Sequence, residues 1–249
     1  MRRLAATLPF LFLLSLAGVR ADTPPLLQDA ITRLIAENDH WAYTVTIQRL
    51  DKNGHPTGGL VVERYDPSQP YDHEWTLITY DGHGPSASET LTWQGQKRKE
   101  MKRKEERPYV DMLDLDNARY EGENAKETTF YVPLEKDAVH RVPADMIEVF
   151  MSVDKVRHTL MGFSMRPKQP FRVAGLFKVE SGELDARFDV VQADHPPALV
   201  WVRGSGTGRV LGFFRMGMGR ELTYADFKRV KPYADHFAVK IGDVKALNF

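Results

Sequence analysis

The sequence predicts an α+β fold, mainly antiparallel β, with one sheet that curls. Apolar and polar residues alternate in many short segments, most regularly over residues 183–190, which is typical of a strand with one apolar and one solvated face. Turn signals such as residues 51–54 separate these segments. Helical segments are few and do not alternate with the strands, so a doubly wound parallel sheet is excluded.

The predicted elements begin with an amphipathic helix. Pro24 and Pro25 precede apolar residues that recur at helical spacing over residues 26–35. About ten strands follow. The β-patterned segments are residues 43–48, 60–65, 74–80, 109–115, 128–134, 156–165, 173–180, 183–192, 199–203, 209–216 and 221–230, with a last candidate in 236–249. Residues 143–152 are predicted to form a short apolar helix between the two halves of this series.

Residues 1–21 are predicted to be a cleavable secretory signal peptide. Arg2 and Arg3 supply the positive start, residues 4–17 are almost wholly apolar, and Val19 and Ala21 fit the cleavage site. The apolar run is shorter than the roughly 20 residues that span a bilayer. We therefore expect an exported, non-transmembrane protein whose mature part, residues 22–249, is a single β-rich domain. The chain has no cysteine, so neither a lipoprotein anchor nor a disulfide is expected.

A charged segment near residues 86–107 is predicted to be a protruding helical insertion in this domain. Ser86 and Glu89 have the spacing of a capping box. Four of its lysines are candidates for a partner surface that meets anionic lipid head groups or an acidic protein. They are Lys97, Lys99, Lys102 and Lys104. A solvated helix with internal ion pairs is the simpler interpretation. The whole chain has 34 basic and 34 acidic residues, so nucleic acid is not an expected partner.

The motifs that could carry catalysis or metal binding are all incomplete. Residues 72–73 and 81–83 pair aspartate with histidine around one strand, but without the clustered ligands that a metal needs. The acidic run at residues 111–116 lacks the glycine turn of a calcium loop. The glycine-rich residues 204–208 lead into a β-patterned segment, which predicts a hairpin turn and not a phosphate-binding loop. No serine–histidine–acid constellation is identified, so we predict neither an enzyme nor a cofactor.

Four segments carry a resemblance to a known family. They are the helix at residues 26–35 running into 41–50, the segment 74–86, the apolar segment 146–151 and the late strand 221–230. Together they resemble the LolA-like superfamily of periplasmic lipoprotein carriers. The resemblance implies a strongly curved open half-barrel whose concave side is covered by the N-terminal helix and short helices. It also implies a periplasmic location and a part in outer-membrane lipoprotein sorting.

Large apolar residues on the β-patterned segments are candidates for lining a ligand groove. They are Trp75, Leu77, Phe150, Phe163, Met165, Phe177, Phe188, Trp201, Phe214 and Met216. In a closed sandwich the same residues would form an ordinary core, and that alternative stays open. In a half-barrel they would bind acyl chains, because each buried CH₂ contributes roughly 0.8 kcal/mol. We therefore predict a non-enzymatic carrier or chaperone for a lipid or acylated protein, or alternatively an envelope assembly module that contacts a protein through the charged helix.

Overall fold

The structure, a computed structural model, describes residues 23–37, 40–106, 109–136, 143–173, 177–210 and 214–233. The predicted signal peptide and the last candidate strand, residues 236–249, lie outside these ranges. The helices of the described part are α1 (Pro25–Glu37) and α2 (Ala87–Glu106). The strands are β1 (Trp41–Leu50), β2 (Pro56–Tyr65), β3 (Trp75–Thr79), β4 (Arg119–Glu123), β5 (Glu127–Tyr131), β6 (Ile147–Asp154), β7 (Leu160–Pro167), β8 (Phe171–Val173), β9 (Phe177–Asp189), β10 (Ala198–Val210) and β11 (Phe214–Arg229).

These strands form one antiparallel sheet that is open. Its strand order is β3-β2-β1-β11-β10-β9-β7-β6-β5-β4, and the short β8 pairs with β9 beside this path. Strands β3 and β4 lie at opposite ends and do not pair with each other in the described residues. The predicted class, α+β and mainly antiparallel β with the open sheet of a half-barrel, is confirmed. Neither α1 nor α2 is long and apolar enough to cross a membrane over its described residues.

The register of the strand pairs defines two faces of the sheet. Directly paired residues of antiparallel strands point to the same face. From β6 to β2, one unbroken row of paired residues is Met151, Phe163, Ala186, Val202, Leu222, Ile47 and Val61. We call the face that carries this row the helix face, because both helices pack on it, and the other one the opposite face.

The main core lies between α1 and the helix face. Leu27 and Ala30 of α1 are fully buried, and they cluster with Val149 and Val153 of β6, which are fully buried as well. The apolar residues of α1 recur every three or four positions, so one side of the helix faces the sheet and the other faces water. This packing places α1 over β6 and β7.

Helix α2 docks on the same face at the other end of the sheet. Its start is the predicted capping box: the Ser86 amide donates to Glu89 Oε2 at 2.8 Å, and the Glu89 amide donates to Ser86 Oγ at 3.4 Å. Trp93 is buried, and its indole N–H donates to Glu63 Oε1 at 2.6 Å. Glu63 pairs with Val45 of β1, two residues from Ile47, so it belongs to the helix face. The predicted insertion is therefore a helix that docks on the sheet through Trp93.

Several predicted elements are wrong. The predicted strand at 209–216 is divided between the end of β10 and the start of β11, and the predicted strands 173–180 and 183–192 are parts of the single strand β9. Residues 143–152 are not a helix: a 3₁₀ turn, Ala144–Met146, leads into β6, where buried and half-buried residues alternate. The predicted strand at 109–115 contains a 3₁₀ turn, Tyr109–Met112, and the pairing strand β4 comes later. The glycine-rich residues 204–208 are not a turn but the interior of β10, because they pair with β9 on one side and β11 on the other. Partners on both sides override the local preference of glycine for turns.

Candidate functional site

The helix face between α1 and α2 is aliphatic. Five adjacent strands each contribute one residue to it, and we call this set the aliphatic floor. Its members are Val61 of β2, Ile47 of β1, Leu222 of β11, Val202 of β10 and Leu184 of β9. Each of them is half-buried, in contrast to the fully buried residues under α1. Because α1 lies over β6 and β7 and α2 lies over β3, the floor occupies the middle of the face.

An aromatic cluster extends this floor toward the start of β1. Its members are Trp41, Tyr43, Tyr65, Trp75, Tyr224 and Phe227. Tyr43 is the centre of the cluster, with ring centroids 5.1 Å from Tyr65, 5.4 Å from Tyr224 and 5.8 Å from Phe227. A β-bulge in β11 opposite Ala42 and Thr44, with Asp226 at φ 52°, inserts one extra residue. Residues three positions apart in a regular strand point to opposite faces. Because the bulge adds one residue, Tyr224 and Phe227 point to the same face and both contact Tyr43.

A buried ion pair fixes α2 beside the aromatic cluster. Lys97 Nζ lies 2.5 Å from Glu63 Oε2, and the two side chains are only 13% and 5% exposed. The same ammonium lies 3.9 Å from the centroid of the Trp75 ring, which adds a cation–π contact. With Trp93 donating to its other oxygen, both oxygens of the Glu63 carboxylate are hydrogen-bonded. A carboxylate can be buried at this position because it is paired.

This ion pair changes the interpretation of the predicted partner surface. Lys97 contacts the sheet of its own chain and does not offer its charge to a partner. Lys99 is exposed on α2. The side chains of Lys102 and Lys104 lie outside the described residues. A protein or anionic-lipid partner for α2 therefore stays a prediction. Of the four predicted lysines, Lys99 is the one whose side chain is described and exposed.

The predicted groove residues do not lie together on one face. Trp75, Leu77, Phe163, Met165 and Phe188 are on the helix face. Phe150 and Trp201 are on the opposite face, where they pair with Ser164 and with Arg187. Phe177 lies against the backbone of Gly208, since a Cβ at that glycine would approach its ring to 2.8 Å. The side chains of Phe214 and Met216 lie outside the described residues.

The sequence contains a signal for the aliphatic floor that a search for large residues misses. Within β9, alternation alone places Leu184 with Ala186 and Phe188. The members of the aliphatic floor are valine, leucine and isoleucine, which are common in any sheet. They are half-buried because the helices cover other strands and leave these partly exposed. That arrangement becomes visible only from the strand order.

Two aspartates of the incomplete metal motifs, Asp81 and Asp114, have structural roles. Asp81 Oδ1 accepts the Gly59 amide at 2.7 Å and ties the β1–β2 region to the end of β3. Asp114 caps the 3₁₀ turn Leu115–Asn117, because its Oδ1 accepts the Asn117 amide at 3.2 Å, and its Oδ2 also accepts from the Asn117 side chain at 2.8 Å. Within the described ranges, no group of three or more histidine, aspartate and glutamate side chains is placed to hold a metal ion.

Asp185, on the opposite face, is the carboxylate whose environment disfavours its charge. Partial burial raises its pKa above the usual 3.8, the nearby Glu183 raises it further, and Arg187 and Arg203 act against the shift. The folded state therefore stabilises the protonated carboxyl group of Asp185 relative to the ionised carboxylate. Stability that depends on this group is greatest below pH 3.8 and falls as pH rises through the folded-state pKa.

We expect Asp185→Asn to stabilise the fold modestly at pH 7, because it removes an ionised group that folding disfavours. The gain should disappear when the pH falls below the ordinary aspartate pKa, where the wild-type carboxyl is protonated in both states. Urea unfolding of wild type and variant between pH 3 and pH 8 measures this. Asp72→Asn, at an exposed position outside the strands, is the control that should change little. A variant less stable than wild type at pH 7 would contradict the expectation.

Comparison with known proteins gives a likeness of fold. No family model matches the chain, and no curated protein matches it. Among solved structures, the chain is similar to the crystal structure of LolA superfamily protein NE2245 from Nitrosomonas europaea. The match covers 88% of this chain and 98% of that one, with a TM-score of 0.39 and 12% identity. The likeness concerns the fold alone.

Proposed function

We propose that this protein is a non-enzymatic carrier or chaperone that holds the acyl chain of a lipid or acylated protein on the aliphatic floor. The observation that carries the proposal is the floor itself. Half-buried aliphatic residues lie on the same face of five neighbouring strands, between two helices that share this face. From β2 to β10 they are paired in direct register, and in β9 Leu184 lies two residues from Ala186, the partner of Val202. Half-burial leaves apolar area that a ligand can still remove from water.

The chemistry of the floor suits an acyl chain better than a polar ligand. All five members are hydrocarbon side chains, so they offer no hydrogen bond and impose no direction on a ligand. Binding would depend on the area removed from water, at about 25 cal/mol per Å². Affinity would then grow with chain length and depend little on the head group, as a carrier of varied cargo requires.

The predicted signal peptide supports a periplasmic setting for this carrier. Sorting of outer-membrane lipoproteins is the process in that compartment that this binding chemistry suits. The proposal needs no covalent step, because a carrier only has to bind and release.

Native mass spectrometry of protein purified from cells, and transfer of fluorescent phospholipid from liposomes, test the proposal. Wild type should retain or take up lipid. Leu222→Asp places a charge on the floor and should weaken uptake at least about tenfold, equal to 1.4 kcal/mol or more. Thr223→Asp is the matched control, since the adjacent residue is exposed on the opposite face, and it should bind as wild type does.

A second variant tests the aliphatic floor in case Leu222→Asp prevents folding. Val202→Phe fills part of the floor without adding charge, and circular dichroism should show a wild-type fold for it. Its lipid uptake should also fall. The proposal would be overturned if wild type took up no lipid, or if both floor variants bound lipid as well as Thr223→Asp did.

A further inference from the structure

The opposite face of the sheet carries a cavity that the proposed carrier function does not use. Small residues occupy the middle of this face on three adjacent strands: Thr129 of β5, Ser152 of β6, and Gly162 and Ser164 of β7. Larger side chains stand around them. The result is an open depression with a volume of ≈ 680 Å³, within the usual range of about 300–1,000 Å³ for ligand sites. We call it the polar depression.

Two arginines at the rim of the polar depression are held by aromatic rings. The Arg187 guanidinium carbon lies 4.1 Å from the centroid of the Trp201 ring, and that of Arg166 lies 4.9 Å from the Phe150 ring. Arg166 Nε also donates to Glu148 Oε2 at 3.1 Å. A cation–π contact restrains the position of a guanidinium group over the ring and leaves N–H donors available to other partners. The rim therefore presents preorganised hydrogen-bond donors beside apolar ring edges.

The charges that line the polar depression are balanced. Asp185 and Glu121 face it together with Arg166 and Arg187, so it has no net charge to attract an ion. The hydroxyl groups of Ser152, Ser164 and Thr129 also line the polar depression. The raised pKa of Asp185 supports a binding role, because a carboxyl kept in an unfavourable environment is typical of functional sites.

We propose that the polar depression binds a short oligosaccharide. Carboxylate and guanidinium groups can each hold two neighbouring hydroxyl groups of a sugar. The parts of the Phe150 and Trp201 rings that the arginines leave uncovered would contact apolar C–H groups of the sugar. An anion would meet Asp185 and Glu121, and an acyl chain would leave the hydroxyl and charged groups of the site without partners. The open shape lets a chain of sugars extend past both ends of the cavity.

Titration of ¹⁵N-labelled full-length protein with chitotetraose, cellotetraose and maltotetraose, each to millimolar concentration, tests this proposal. At least one of them should produce saturable shifts at the amides of Gly162, Ser164 and Arg187, and should change Trp201 fluorescence. Ser164→Tyr fills the depression and should weaken that binding at least about tenfold. Thr76→Tyr adds the same ring at an exposed position on the same face in β3, and should leave binding unchanged.

A further variant and the lipid assay separate this site from the aliphatic floor. Arg187 is exposed, so Arg187→Ala should keep the fold even if Ser164→Tyr does not, and it should also weaken sugar binding. Neither variant should alter lipid uptake. The proposal would be overturned if none of the three sugars bound saturably, or if the sugar that binds did so equally well to Arg187→Ala and to wild type.

Discussion

Lys97→Met is expected to destabilise the protein by about 3 kcal/mol, because removing one partner of a buried ion pair leaves an uncompensated charge. Glu63 would keep the hydrogen bond from Trp93 but lose the ammonium, with its side chain only 5% exposed. The cation–π contact with Trp75 would be lost at the same time. Urea unfolding at pH 7, followed by circular dichroism, measures the difference in free energy of unfolding.

Two further variants show whether the buried charge is the cause. Lys99→Met removes an exposed lysine from the same helix and should change stability by less than about 0.5 kcal/mol. The double variant Glu63→Gln with Lys97→Met keeps an oxygen acceptor for Trp93 but removes both charges, and it should recover most of the loss. Equal effects of Lys97→Met and Lys99→Met would contradict the role given to the ion pair.

Leu27→Ala is the second change with a large expected effect, again about 3 kcal/mol of destabilisation. Leu27 is fully buried in the main core, where α1 packs on β6 and β7. Truncation removes its transfer free energy and leaves a cavity, and such changes usually cost 2–5 kcal/mol. The free energy of unfolding from urea titration gives the value directly.

Ile35→Ala on the same helix is the control for Leu27→Ala. Its side chain is 55% exposed, so the same kind of truncation removes little buried area and should cost less than about 1 kcal/mol. A loss at Ile35 as large as that at Leu27 would mean that α1 packs on the sheet through a different side.

Local sequence patterns are sufficient to predict α1, α2 and most strands. The capping box of Ser86 and Glu89 and the sequence alternation over residues 43–48 are short-range features, and the structure has the cap and the strand β1 that they predict. The prediction of a helix over residues 143–152 is wrong because Phe150 places an apolar side chain on the opposite face of β6. An apolar run without strict alternation can be read as a helix or as a strand, and only pairing with β5 and β7 decides it.

The candidate sites depend on strand register, which a single sequence does not contain. Alternation shows which residues of one strand share a face. It does not show which residues of the neighbouring strand lie on that same face of the sheet. Phe150 and Trp201 therefore looked equivalent to Phe163, although they lie on the other side of the sheet. The Lys97–Glu63 contact joins residues 34 positions apart, so the charge pattern of α2 alone could not distinguish Lys97 from Lys99.

Over the described residues, the main path of the sheet ends in two edge strands of unequal character, β3 and β4. The edge strand β4 has the sequence RYEGE, with charged residues at three of its five positions. The other edge strand, β3, has the sequence WTLIT, which carries no charge, and Ile78 in it is 45% exposed. Charged side chains discourage the addition of a foreign strand to an edge, and their absence permits it. At high protein concentration, strand-by-strand aggregation of this molecule would therefore begin at β3 and spare β4.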